Sequence, residues 1–134
     1  MFRRLFYSFW TLIAANLVMA GTPALSEVEF NIKGIYGDKS GCKIARGKQP
    51  DGDGGRYLSS KGYSGYEWQC KIVWSHREAG KDIGAYLGST VWSVITLCAG
   101  EGEAYSRLLS VQQDGKTVTI NDDKNDSVVL KLCK

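Results

Sequence analysis

Apolar residues return at every second position along much of the chain. In "YEWQCKIVW", Tyr66, Trp68, Cys70, Ile72 and Trp74 share one face, while Glu67, Gln69, Lys71 and the following Ser75 share the other; Val73 is out of step. A period of two, with aromatics and a cysteine turned inward, predicts a half-buried strand. "TVWSVITLC" (90–98) is β-branched and apolar on both faces, which predicts a central strand. "AYSRLLSV" continues the pattern. "QQDGKTVTI" then places Asp114-Gly115 between two strand-like runs, a strong hairpin signal. "NDDKND" forms a further polar turn before "SVVLKLC", and "EVEFNIKGIYG" alternates in part through Val28, Phe30 and Ile32.

One segment departs from this period. In "SHREAGKDIGAYL", Ser75 and Glu78 fit a capping box, and Ala79, Ile83, Tyr86 and Leu87 have helical spacing. Gly80 and Gly84 interrupt it, each at a cost of about 1 kcal/mol relative to alanine in a helix interior. The segment therefore reads as a long hairpin loop with one helical turn. The expected fold is all-β: a single small antiparallel barrel or sandwich of six to eight strands. Full closure would remove the exposed edges that open sheets leave.

The first residues change the charge picture. "MFRRLFYSFWTLIAANLVMA" carries Arg3 and Arg4, then an apolar run, then small residues, which is the plan of a secretory signal peptide. The expected division is a signal peptide over 1–26, cut after Ala20 or Ser26, and a β domain over 27–134. The apolar run of about 15 residues is short of the ~20 that a spanning helix needs, so no stable membrane span is expected after cleavage. Arg3 and Arg4 leave with the leader, so 17 basic against 14 acidic residues becomes 15 against 14. No cluster of Lys and Arg remains, which argues against nucleic acid as a partner.

Cys42, Cys70, Cys98 and Cys133 all lie in the β domain. An even count in a short exported chain reads as two disulfides. Structural zinc sites pair their cysteines two to four residues apart, and no such pair exists here, so no metal and no cofactor is expected. Three pairings are possible. The preferred one joins Cys42 to Cys70 and Cys98 to Cys133.

Several stretches invite chemistry. "QPDGDGGRY" alternates Asp51 and Asp53 with glycines. As an EF-hand loop starting at Asp51 it fails, since Gly55, Arg56 and Gly62 stand at positions 5, 6 and 12. A solvated loop is the expectation. Glu101 and Glu103 in "CAGEGEAY" would share one face about 7 Å apart if extended, within the range of a glycosidase pair. "GYSGY" only approaches a nucleophile elbow, because Tyr66 stands where the second glycine belongs. His76 is the only histidine. Asn125-Asp126-Ser127 matches a glycosylation acceptor, which matters only in a eukaryotic secretory route. Tyr57, Tyr63, Tyr66, Trp68, Trp74 and Trp92 crowd the middle of the chain. Trp68 and Trp74 are expected inside; Tyr63 and Tyr66, beside glycines, are expected outside.

The pattern "GIYGDKSGCKIA … YEWQCKIVW … CAGEGEAY … LKLC" resembles small, functionally uncharacterised exported proteins of Gram-negative bacteria. The resemblance covers most of the β domain and implies a periplasmic address and a β fold, with no active site to carry over. The plan is also loosely similar to small β-barrel inhibitors of lysozyme or proteases. Ser64-Gly65-Tyr66 approximates the Ser-Gly-x-x-Tyr stretch of the lysozyme inhibitors with a different spacing.

No nucleophile with a base, metal cage or phosphate cradle emerges. The leading expectation is a non-catalytic periplasmic or secreted protein that binds or inhibits an envelope or extracellular partner. Its binding residues would be Arg56, Tyr63, Tyr66, His76 and Arg77, on or beside the loops 48–64 and 76–84. The alternatives are a module for glycan or peptidoglycan using Tyr63 and Tyr66, and a small hydrolase using Glu101 and Glu103.

Overall fold

The computed structural model describes residues 30–78 and 88–134. Eight strands run β1 (Tyr36–Gly37), β2 (Arg56–Ser59), β3 (Gly62–Gly65), β4 (Trp68–Arg77), β5 (Thr90–Gly100), β6 (Glu103–Asp114), β7 (Thr117–Asp122) and β8 (Ser127–Leu132), with one helix, α1 (Lys39–Ile44), after β1. Each strand pairs antiparallel with the next. β8 pairs with β1 through Leu132 opposite Tyr36, so the sheet closes into a barrel. The expectation of a barrel or sandwich thus resolves to a barrel, and every inner strand edge is paired. The signal-peptide expectation for 1–26 lies outside the described residues. Among those residues no helix is long and apolar enough to cross a membrane.

The barrel interior is made by alternate residues of each strand. Leu58, Trp92, Val94, Leu109, Val111, Val118, Ile120 and Leu130 are buried, and each such side chain is worth roughly 1.5–3 kcal/mol against exposure. Trp92 and Val94 follow the period expected of β5, whose other face, Ile95 and Leu97, is turned out. That strand is apolar on both faces without being covered on both.

A bulge decides the fate of the aromatic strand. Pairing runs Ile72 with Thr96 and then Trp74 with Ile95, leaving Val73 as the extra residue. From there the phase inverts. Ser75 becomes fully buried, and Trp74 turns outward to stack on His76, with ring centroids 6.1 Å apart. Trp68 and Ile72 pack on the core as expected, but Trp74 does not. The out-of-step Val73 was the visible mark of this shift. The expected capping box at Ser75 is also replaced: Ser75 to Arg77 extend β4, and Glu78 accepts a hydrogen bond from Ser93 Oγ at 2.8 Å. The helical spacing over 79–87 lies outside the described residues.

The helix that does form went unpredicted. Asp38 caps α1, accepting from Gly41 N through one carboxylate oxygen at 2.6 Å and from Arg56 N through the other at 3.0 Å. One side chain thus ties α1 to β2. Gly41 sits against the Arg56 backbone, where any Cβ would overlap the Arg56 carbonyl.

Two disulfides are present, but the pairing differs from the preferred one. Cys70 bonds Cys98, and Cys42 bonds Cys133. Cys70 and Cys98 are direct cross-strand partners in the β4–β5 hairpin. Cys133 follows β8, which closes on β1, and α1 follows β1, so closure itself brings Cys42 and Cys133 together. Spacing along the chain cannot show a neighbour created by closure. Two disulfides fit an oxidising compartment outside the cytoplasm.

Candidate functional site

The up-and-down order sorts the connections onto two ends of the barrel. At one end lie the turn 66–67, the turn 101–102 and the turn 123–126, while α1 lies beside β1, β2 and β3 and carries Cys42 to Cys133. At the other lie 30–35, the turn 60–61, Glu78 after β4, the turn 115–116 and Cys133. The expected binding residues divide accordingly. Arg56, Tyr63 and Tyr66 stand toward the first end, whereas His76 and Arg77 stand at the opposite end of β4. The expected loops 48–64 and 76–84 are thus split: 48–55 leads into the first end, whereas the turn 60–61 and residues 76–78 lie at the second; 79–84 lies outside the described residues.

The second end is filled. Phe30 meets Trp92 edge to face at 5.4 Å, and both are buried with Ile32. The Tyr36 hydroxyl accepts from Gln113 Nε2 at 2.6 Å and donates to Gly115 O at 3.3 Å.

The first end is open. A cleft of about 570 Å3 is walled by Tyr66, Trp68 and Tyr105, rimmed by Asp53, Glu67, Glu101, Glu103 and Lys124, and reaches Arg107. Two-residue turns place most of these groups. Tyr66-Glu67 joins β3 to β4, and Glu101-Gly102 joins β5 to β6, with both Glu101 and Gly102 at positive φ as a tight hairpin turn requires. Trp68 faces Gly100 across β4 and β5, so the two turns are neighbours. The Trp68 indole also lies against Gly65, where a Cβ would overlap the ring, and meets Tyr63 edge to face at 5.0 Å. Gly65 on β3 and Gly100 on β5, the two strands that flank β4, make the slot that holds the tryptophan at the opening.

Inward of the cleft sits a polar group of four. Tyr63 and Arg107 line a small cavity of about 60 Å3 together with Arg56 and Asp122. Tyr63 is buried, contrary to expectation, because its cross-strand partners on either side, Leu58 and Cys70, also point inward. Burial pushes its hydroxyl pKa up, and the nearby Arg56 guanidinium opposes this. Asp122 Oδ1 accepts from Lys124 N at 3.0 Å and Asp126 N at 2.9 Å, while Oδ2 lies 3.8 Å from Arg107. The Arg107 guanidinium also stands 5.4 Å from the centre of the Tyr105 ring.

Glu101 and Glu103 both reach the cleft, but not as an extended pair on one face. Glu101 is at the tip of the hairpin, Glu103 opens β6, and both are exposed. Of the two aspartates in "QPDGDGGRY", Asp53 lies at the cleft rim and Asp51 is paired elsewhere. Lys43 Nζ donates to both oxygens of Asp51 at 2.7 Å, which holds that carboxyl below its ordinary range. Among the described residues no group of three or more His, Cys, Asp or Glu is placed to hold a metal.

A broader groove of about 950 Å3 runs along the outer wall. Its charged lining is Lys61 and Lys71, and β3 contributes only Gly62 and Ser64, so the hollow follows from small side chains. It gathers one aromatic ring, Tyr57, against three in the cleft.

Comparison with protein-family models, curated proteins and solved structures finds no match.

Of the residues in the cleft, sequence reasoning singled out Tyr66, Glu101 and Glu103 for function. It missed Trp68 as a surface-reaching group, and Tyr105, Arg107 and Lys124 altogether. Tyr105 and Arg107 alternate with Ser106 in a strand, a signal of shared facing, but nothing local says that this face meets the end of β4.

Proposed function

We propose that this is a non-catalytic glycan-binding protein, periplasmic or secreted, that takes its ligand at the open end of the barrel. The observation that carries the reading is the cleft itself. Three aromatic rings from β4, β6 and the 66–67 turn border one hollow with carboxylates and an arginine. Sugar rings offer apolar C–H faces for such rings and hydroxyls for carboxylates and guanidinium, the usual division between apolar walls and a few convergent polar groups. The basic, apolar and small-residue order at the N-terminus and the two disulfides support the address.

Retention on insoluble peptidoglycan tests the reading. The native protein should co-sediment, and Trp68→Ala should lower the affinity at least ~10-fold while the far-ultraviolet circular dichroism spectrum stays strand-like. Equal retention of the variant, or none of the native protein, would sink it. Glu101 and Glu103 act here as hydrogen-bond acceptors. Sugar turnover that Glu101→Gln or Glu103→Gln abolishes would make the protein a hydrolase instead.

One observation favours a second reading, a binder or inhibitor of another protein. Trp74, Ile95 and Leu108 are in register on three adjacent strands, flanked by Val73 and Leu97, and all five side chains are exposed on the outer wall. Contiguous apolar surface of this kind often marks a protein contact. Capture from envelope extract, with lysozyme as a parallel bait, that is lost in Leu97→Glu and kept in Trp68→Ala would favour this reading.

A further inference from the structure

Within the glycan reading of the cleft, the geometry points to an acidic ligand: we propose that the saccharide bears a carboxylate, and that this carboxylate docks on Arg107. Among the described residues, Arg107 Nε is the buried side-chain nitrogen or oxygen with no hydrogen-bond partner. Arginine has five N–H donors in a fixed fork, and buried donors are normally satisfied. The neighbouring acid does little for this one. Asp122 approaches Arg107 only to 3.8 Å, beyond hydrogen-bond length, and its other oxygen is taken by the two backbone N–H groups of its own turn. The ring of Tyr105 attracts the guanidinium without accepting a directed hydrogen bond from it.

Arg107 is also the one charged residue of the cleft that is not exposed. Asp53, Glu67, Glu101, Glu103 and Lys124 all stand in solvent at the rim, where salt screens them. A charge farther from water interacts more strongly with whatever reaches it. The rim carries four carboxylates and one amine, so it suits hydroxyl or amide N–H donors on the sugar body. Arg107 lines the same cleft, and its guanidinium fork matches a carboxylate in a bidentate pair. A ring between Tyr66, Trp68 and Tyr105, with its acid turned inward, meets both requirements.

The test compares sugars that differ by the acid. N-acetylmuramic acid and N-acetylglucosamine form one pair, glucuronic acid and glucose the other, each titrated into the native protein by nuclear magnetic resonance. The expected result is at least ~10-fold tighter binding of the acidic member, with the shifts centred on Trp68 and Tyr105, and loss of that preference in Arg107→Gln. Preference within one pair only would tell whether the acid is a lactyl ether or a ring carboxyl, and either supports the proposal. Equal binding of acidic and neutral members overturns it and leaves the glycan reading standing. No binding of any of the four overturns both. Because the sugar comparison is made on the native protein, it decides the matter even if Arg107→Gln folds poorly.

Discussion

The two ends of the barrel are built by different means. The filled end is closed by residues far apart in sequence: Phe30 lies against Trp92, and the Tyr36 hydroxyl meets Gln113 and Gly115. The open end is built from hairpin turns, 66–67 and 101–102, whose side chains stand close because their strands are neighbours. Long-range contacts seal and local turns display. Stability should therefore concentrate at the filled end and recognition at the open one, and the following substitutions press on that division.

The largest effect belongs to the bond that secures barrel closure. Cys42–Cys133 spans 91 residues and Cys70–Cys98 spans 28. The chain-entropy relation assigns about 4.6 and about 3.6 kcal/mol to loops of these lengths. Cys42→Ser with Cys133→Ser should lower unfolding stability in urea by the larger amount, and Cys70→Ser with Cys98→Ser by the smaller. The Cys70 pair also lies two ladder positions inward of Trp68, so its loss should weaken glycan retention as well. A reversed order of stabilities would show that closure is secured elsewhere.

Next come the aromatic pairs at either end. Phe30 is 6% exposed and packed on Trp92, and Phe30→Ala should cost about 3 kcal/mol, the low end for a buried phenylalanine because its segment is irregular. Trp68 is only half-buried at an opening, so Trp68→Ala should cost less and act mainly on binding. Gly65→Ala sharpens the contrast without removing a ring. Its methyl would occupy the space of the Trp68 indole, so a stability loss of about 1 kcal/mol should accompany a loss of retention. Thermal melts run beside the sedimentation assay read both quantities. A Gly65→Ala variant that binds normally would mean that the position of Trp68 is immaterial.

The same division governs what the sequence revealed. Period-two alternation marks β4 to β8 because each residue's facing is a local property, and Asp114-Gly115 marks a turn for the same reason. The inversion at Val73 is a one-residue insertion whose side of the strand depends on its partner, so Trp74 and Ser75 came out on the wrong faces. The disulfide pairing depends on β8 returning to β1, and the cleft depends on shear that brings Lys124 and Arg107 near Trp68. Neither is written in any short window. Helix α1, only six residues, is set by the Asp38 cap and its bond to Arg56, a tertiary contact rather than a hydrophobic period.

The smallest effect appears only in alkali and belongs to the boundary between the two ends. Tyr63 is buried beneath Trp68, and burial raises its hydroxyl pKa above the ordinary value near 10. The folded protein then holds this proton more tightly than the unfolded chain does. Its contribution to stability is fully present below pH ~10 and is lost as the pH rises through the raised value. Urea unfolding followed from pH 8 upward should show a fall that begins near pH 10. In Tyr63→Phe that fall should vanish, because no proton remains to be lost. An unchanged slope would mean that Tyr63 ionises as an exposed phenol would. The small cavity that Tyr63 shares with Arg107 would then be wet.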